Sequence, residues 1–182
     1  MLRFGYCVRP WDVLPPNYAI GSTGTTSPGD IVVNSGELGS IKINGREASP
    51  LGRGYNVVVV DPKDGAVTSA KVFNTADDRA QSRALTDFIA TLPNGFLVAV
   101  ASQEEVAGNL GDNTVKALRT LGAQMDIRQN PDYSHALIGV KGAERGAALE
   151  QAQAGTSFIS VGHSPDERTL AAAVSTVIIE KK

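Results

Sequence analysis

The chain has 182 residues, 42% of them apolar, and a formal net charge of −2 at pH 7. This length fits one domain with extensions, and the apolar content is enough for an ordinary core. The balanced charge contains no basic block, so we expect no nucleic-acid partner. No apolar run reaches the roughly 18 residues that a bilayer-spanning helix needs, so we expect no membrane span.

Residues 1–29 are predicted to be a proline-rich arm, because prolines interrupt regular structure and the stretch 21–29 has the composition of a linker. The arm nevertheless carries aromatic side chains, Tyr6, Trp11 and Tyr18 among them, which disordered tails usually lack. Two interpretations stay open. The arm docks on its own domain or a neighbouring subunit, or it is simply a partly ordered terminus.

The same segment has no apolar stretch typical of a secretory signal, so we expect no signal peptide. The single cysteine, Cys7, cannot form an intrachain disulfide. Both features are compatible with a virion or a cell-surface particle, and otherwise with the cytoplasm.

The first predicted strands begin at Ile31 and Ile41, and Asn44-Gly45 is a turn signal. The stretch 51–61 then contains four consecutive valines at 57–60, which predict a buried central strand. Asp-Pro-Lys-Asp-Gly, ending at Gly65, is typical of a hairpin turn, so residues 66–73 should return antiparallel to this strand.

Apolar residues at helical spacing predict a helix that begins after Asp77 or Asp78 and ends at Pro93. Further along the chain, apolar runs and glycine breaks predict three strands and two helices. They are a central strand at 96–101, a helix at 112–121, a strand at 136–141, an alanine-rich helix at 143–154 and a strand at 157–161. The stretch 164–180 fits either a helix or a strand.

These elements predict an α+β fold with mixed, partly antiparallel β-sheets and flanking helices. We divide the chain into the arm at 1–29, a globular domain at 30–155 and a C-terminal extension at 156–182.

The central part of the chain resembles the interleukin-like epithelial–mesenchymal-transition inducer (ILEI) family, also called the PANDER-like or GG domain. The resemblance covers about residues 34–142 and rests on short motifs in a fixed order. They are Ser35-Gly36, Gly-Arg-Gly-Tyr-Asn-Val-Val-Val-Val-Asp at 52–61, Asp64-Gly65, Phe73-Asn-Thr75, Pro93-Asn-Gly95, Phe96-Leu-Val-Ala-Val100, Ala117-Leu-Arg-Thr-Leu-Gly122 and His135-Ala-Leu-Ile-Gly-Val-Lys-Gly142.

The resemblance implies a β–β–α globule of two sheets with helices outside, similar to the stem domain of protein O-mannose N-acetylglucosaminyltransferase. It also implies a non-catalytic module whose ligand, where there is one, is carbohydrate held by an arginine and by acidic or amide groups. In this sequence Arg53 matches the arginine, Gln103 and Glu104 occupy the acidic positions after the central strand, and His135 stands at a tryptophan position. The pattern is therefore only partly retained.

Each candidate site residue has a second interpretation. Arg53 is a ligand clamp or a brace for loop carbonyls and carboxylates. Gln103 and Glu104 contribute to a cleft or to a solvated acidic loop. His135 stacks on a sugar or is a structural histidine where a strand begins.

We expect no enzyme, because neither a nucleophile–base arrangement nor a metal-ligand spacing is present, and we expect no metal or other cofactor. The leading hypothesis is a carbohydrate-recognition module on a surface or particle. The alternative is a structural subunit of a bacteriophage virion (tail, baseplate or capsid surface) whose arm contacts other protein subunits in an oligomeric assembly.

Overall fold

A computed structural model describes residues 17–162 and confirms an α+β fold built on a five-stranded and a four-stranded antiparallel sheet, a two-stranded hairpin and two α-helices. The elements of this part are β1 Tyr18–Ala19, β2 Thr26–Ser27, β3 Ile31–Ser35, β4 Ser40–Ile43, β5 Arg46–Glu47, β6 Gly54–Val60, β7 Val67–Phe73, α1 Arg79–Thr91, β8 Leu97–Gln103, α2 Asp112–Arg119, a 3-10 helix Ile127–Gln129, β9 Tyr133–Val140, β10 Leu149–Ala154 and β11 Ser157–Val161.

The larger sheet has the strand order β10-β9-β8-β6-β7, and every neighbouring pair is antiparallel. All seven residues of β6 are buried, which confirms the central strand predicted from the valine run. Apolar side chains are needed on both faces because each face of this strand packs against another layer.

The hairpin between β6 and β7 is also confirmed. The Asp61 Oδ1 atom accepts a hydrogen bond from the Lys63 amide, and the Asp64 Oδ1 atom accepts one from the Ala66 amide, both at 2.9 Å. Gly65 has a φ of 74°, a conformation that glycine adopts without steric cost.

One face of the larger sheet packs on the helices, and the other packs on a four-stranded sheet of order β11-β3-β4-β5. The helix-side core includes Tyr55, Val57 and Leu85, whereas the sheet-side core includes Val58 and Ile41. Strand alternation produces this division, since neighbouring residues of β6 point to opposite faces. The three layers agree with the two sheets and outer helices that the resemblance implies.

The first predicted helix is confirmed as α1. The carboxylate of Asp78 caps it by accepting a hydrogen bond from the Ala80 amide at 2.7 Å. Helix α2 likewise confirms the helix predicted at 112–121, although it ends earlier, at Arg119.

The helix predicted at 143–154 is wrong. Gly142 and Gly146 adopt positive φ angles of 89° and 84°, and the chain then forms β10, which pairs with β9 over six residues. Alanine favours a helix by only a few tenths of a kcal/mol over most residues, so about six ladder pairs and their packing override it.

Residues on both flanks of the predicted globular domain pack on it. Ile20, in the hairpin formed by β1 and β2, is fully buried in the sheet-side core. Strand β11 pairs with β3 in register from Ser157 to Val161. The stretch 164–180 lies outside the described residues.

Candidate functional site

An open cleft of about 600 Å³ lies at one edge of the two sheets. It forms where β8 ends and β9 begins, because antiparallel strands bring an end and a beginning to the same edge. The turns that follow β3 and β10 complete it. The cleft is lined by Asn34, Gly36, Glu37, Leu38, Glu104, Glu105, Pro131, Asp132, Tyr133, Ser134, Gly155 and Thr156.

Arg53 lies beside this cleft but does not line it. Its Nη1 donates a hydrogen bond to Asp77 Oδ2 at 2.6 Å, and its Nε lies 2.8 Å from Glu104 Oε2 in an ion pair. All three side chains are about half exposed. This geometry is that of a brace between two loops, and Arg53 reaches the cleft only through Glu104.

We therefore expect Arg53→Ala to lower the free energy of unfolding by no more than about 1 kcal/mol, because exposed ion pairs contribute little. Urea unfolding of this variant beside wild type measures the difference. A loss of more than about 2 kcal/mol would show that the brace carries more of the fold than an exposed pair does.

Gln103 and Glu104 join the end of β8 to the turn after β3. The Gln103 Oε1 atom accepts a hydrogen bond from the Gly39 amide at 3.2 Å, and the Glu104 amide donates to the Gly36 carbonyl at 2.8 Å. Glu104 has a φ of 58°, which is uncommon for a residue other than glycine. Only Glu104 of this pair lines the cleft.

His135 lies in the helix-side core, with only 1% of its side chain exposed. Its Nε2 lies 2.8 Å from Glu150 Oε1, and its Nδ1 lies 2.9 Å from the hydroxyl of Tyr55. The ring is enclosed, both of its nitrogens have partners, and His135 does not line the cleft. The structure therefore does not bring His135 together with Glu104. Its geometry is that of the structural histidine.

Glu150 holds this buried group to a neighbouring loop. Its Oε2 accepts hydrogen bonds from the amides of Gln124 and Met125 at 2.7 and 3.1 Å. Burial raises the pKa of Glu150, but the hydrogen bonds from His135 and from the two amides outweigh burial and leave the pKa below its ordinary value. Burial, followed by the charges of Glu150 and Asp126, raises the pKa of Tyr55.

Of the three aromatic residues singled out in the arm, the structure describes only Tyr18. Tyr6 and Trp11 lie outside the described residues, and Tyr18 begins β1 and packs against the sheet-side core. Burial, with a smaller contribution from the charge of Asp30, raises the pKa of Tyr18.

Sequence reasoning missed most of the cleft lining. Asn34 lies in β3, whereas Glu37, Asp132 and Thr156 come from three separate turns, and the four meet only in the folded chain. The sequence marked two of these turns by a glycine, Gly36 and Gly155. A glycine indicates a tight turn but does not indicate which other residues the turn lies beside.

Two further expectations concern metals and membranes. Across residues 17–162, no group of three His, Cys, Asp or Glu side chains is placed to hold a metal ion. In the same part of the chain, neither α-helix has the length and apolar character needed to cross a membrane.

The fold and the cleft together define a class: a three-layer α+β domain with an open cleft at one sheet edge. The sequence model of the family described as "Interleukin-like EMT inducer" matches residues 53–143, half of the chain. The chain belongs to this family, which confirms the resemblance noted from the sequence.

Two human proteins illustrate the relationship. The chain is similar to the "Cell migration-inducing and hyaluronan-binding protein" of Homo sapiens, with 31% identity over 90 residues. That match covers 50% of this chain but only 7% of the relative. Similarity to "Protein FAM3D" of Homo sapiens is 29% over 101 residues, covering 56% of this chain and 44% of the relative. The chain thus spans less than half of either protein.

Proposed function

We propose that this domain is a non-catalytic carbohydrate-recognition module whose ligand occupies the open cleft. The observation that carries the proposal is the cleft lining, which combines Leu38, Pro131 and Tyr133 with carboxylate-, amide- and hydroxyl-bearing residues. A sugar presents hydroxyl donors around an apolar ring face, so it can donate to the acids while its ring face covers the apolar part of the lining. The name of the hyaluronan-binding relative supports the same ligand class.

The charge of the cleft narrows the class of sugar. Four carboxylates line it, from Glu37, Glu104, Glu105 and Asp132, and no lysine, arginine or histidine does. Arg53 offsets Glu104, whereas the other three carboxylates form no ion pair with any residue from 17 to 162. Like charges brought together in a binding site cost affinity, so neutral or amine-bearing sugars fit here better than acidic ones.

The non-catalytic part of the proposal rests on the arrangement of the acids. Glycoside hydrolysis needs two carboxyl groups that face one bond from opposite sides. Glu104 and Glu105 do not offer two free carboxyl groups, because the Glu104 carboxylate is engaged by Arg53, whose Nε lies 2.8 Å from Oε2. Incubating glycans with the protein and analysing them by mass spectrometry tests this part, and cleavage would overturn it.

A three-ligand titration tests the proposal with matched probes: N-acetylglucosamine oligomers, their deacetylated counterparts, and hyaluronan oligomers of equal length. We expect the first two to bind, with hyaluronan at least about tenfold weaker, which corresponds to roughly 1.4 kcal/mol of charge repulsion. A glycan array widens the search. Binding to no glycan would overturn the function, and preference for hyaluronan would overturn the charge argument.

Glu105→Gln is the variant that connects binding to the cleft. Hydrogen bonds to charged groups are worth about 1.5–3 kcal/mol when enclosed, and this cleft is open, so we expect affinity to fall about three- to tenfold. Glu144→Gln is the matched control, an exposed glutamate outside the cleft, and should bind as wild type does. Equal affinity of the two variants would place the ligand elsewhere.

The alternative of a virion subunit stays a prediction. Its motivating feature, the arm, lies mostly outside the described residues, and neither human relative named above bears on it.

A further inference from the structure

Strand β7 exposes an apolar strip along the outer edge of the larger sheet. It pairs with β6 on one side, and no described strand pairs with its other side. Val67 and Val72 are 44% and 37% exposed, and Ala70 between them is exposed as well. Val67 and Ala70 pair with Val60 and Val58 of the sheet-side core, and residues paired across strands share a face.

The strip lies beyond the cover of the second sheet. That sheet ends on this side with β5, which has only two residues. The segment before β6 continues the strip. Its residue Gly52 lies against Val72, since a β-carbon added at Gly52 would be 2.9 Å from Val72 Cγ2. The preceding residue, Leu51, is 44% exposed. Long apolar edge strands left bare invite pairing with another strand, so natural proteins usually cover them.

The other long edges are already engaged. The Phe158 amide of β11 donates a hydrogen bond to Gln151 Oε1 of β10 at 2.8 Å. The Gln153 side chain of β10 also donates to the Thr156 carbonyl in the turn between these two strands. The edges of β10 and β11 therefore cover each other, which leaves β7 as the long uncovered edge of the described residues.

A segment of this chain has the pattern that would fill the edge. In residues 2–9, apolar side chains alternate with others: Leu2, Phe4, Tyr6 and Val8 fall on one face of an extended chain, and Arg3, Gly5, Cys7 and Arg9 fall on the other. Strict alternation over this length is typical of a strand with one buried face. This segment lies outside the described residues.

The arm enters the domain at the end where β7 begins. Tyr18 pairs with Ser27, and Pro28 lies close to Gly65, two residues before β7. The eight residues 10–17 can span up to about 26 Å when extended, which exceeds the roughly 19 Å across the five strands of the larger sheet. Because the arm runs towards this end and β7 runs away from it, the two would pair antiparallel.

Charge agrees with this placement. Asp61 and Asp64 lie before β7. Asp77, which also pairs with Arg53, and Asp78, which caps α1, lie after it. Arg3 and Arg9 are six residues apart, or about 20 Å in an extended strand, which is close to the length of β7.

We propose that residues 2–9 add to the outer edge of β7 of the same molecule as an antiparallel strand, with the Leu2, Phe4, Tyr6 and Val8 face covering the apolar strip. In that arrangement Cys7 lies on the opposite, helix-side face. It therefore shares a face with Ser69 and Lys71, and not with Ala70.

Disulfide trapping in the full chain tests the arrangement, because Cys7 is the only native cysteine. Under mild oxidation, Ser69→Cys or Lys71→Cys should form an intramolecular disulfide with Cys7 about tenfold faster than Ala70→Cys does, since only the first two thiols lie on its face. Glu144→Cys, far along the chain, measures random collision. Non-reducing gels and peptide mass spectrometry quantify the products.

A pair of substitutions in the arm separates loss of strand pairing from a general failure to fold. Phe4→Asp in the Ser69→Cys background should reduce trapping to the level of Glu144→Cys, whereas Gly5→Asp should leave it within about twofold of the parent, because residue 5 points away from the strip. Equal trapping at 69, 70 and 71, a disulfide-linked dimer as the main product, or trapping unaffected by Phe4→Asp would overturn the proposal.

Discussion

Gly54→Ala is expected to destabilise the domain by about 3–5 kcal/mol, the sum of a strained backbone and an overpacked contact. Gly54 begins β6 with a φ of 106°, a conformation that side chains rarely allow. A β-carbon there would lie 2.2 Å from the Phe73 carbonyl oxygen of the neighbouring strand, where backbone cannot easily move. The glycine thus permits the strand start that places Arg53 outside and Tyr55 in the core.

Gly95→Ala is the matched control for this prediction. Gly95 also has a positive φ, 89°, but an added β-carbon would meet nothing within 4 Å. We expect it to cost only about 1 kcal/mol, the backbone contribution alone. Chemical denaturation of both variants measures the difference. Equal losses would show that the close approach of β6 and β7 at Gly54 contributes nothing.

Glu150→Ala is expected to lower the free energy of unfolding by about 2–4 kcal/mol. The substitution leaves the enclosed Nε2 of His135 without its acceptor and removes the acceptor of the Gln124 and Met125 amides. The two amides can turn to water, since their residues are exposed, so the histidine accounts for most of the loss. Glu144→Ala, at an exposed glutamate, should change stability by less than about 0.5 kcal/mol.

The pH dependence gives a second readout of Glu150. Because folding lowers its pKa below the ordinary 4.5, its contribution is complete above that pH and is lost as the pH falls through the folded value. The stability difference between wild type and Glu150→Gln should therefore shrink as the pH falls below about 4.5. A difference that stays constant across this range would contradict the assigned hydrogen bonds.

Strands and helices with strong local signals were predictable from the sequence. The valine run of β6 could not be an amphipathic helix, and Asp78 with the apolar spacing that follows it defined α1. The strand β10 was not predictable, because its residues favour a helix locally. It becomes a strand only through pairing with β9, a contact that no local pattern encodes.

The candidate site was predictable in part for the same reason. Arg53 and Glu104 were found from a family pattern, and the register of β6 and β8 does bring them together. His135 stayed open between a sugar contact and a structural role, because its partner Glu150 lies across the β9–β10 hairpin that the sequence did not reveal. Thr156 could not be placed at the cleft without that hairpin either.

Carbohydrate binding at the open cleft can be located residue by residue. The isotope-labelled full chain is titrated with N-acetylglucosamine oligomers, and the backbone amide signals are followed in NMR spectra. We expect saturable shifts concentrated at residues 36–38, 104–105, 132–134 and 155–156, with little change between α1 and α2. Saturable shifts centred on the α1–α2 face, or no shifts with these or any array-selected glycan, would contradict it.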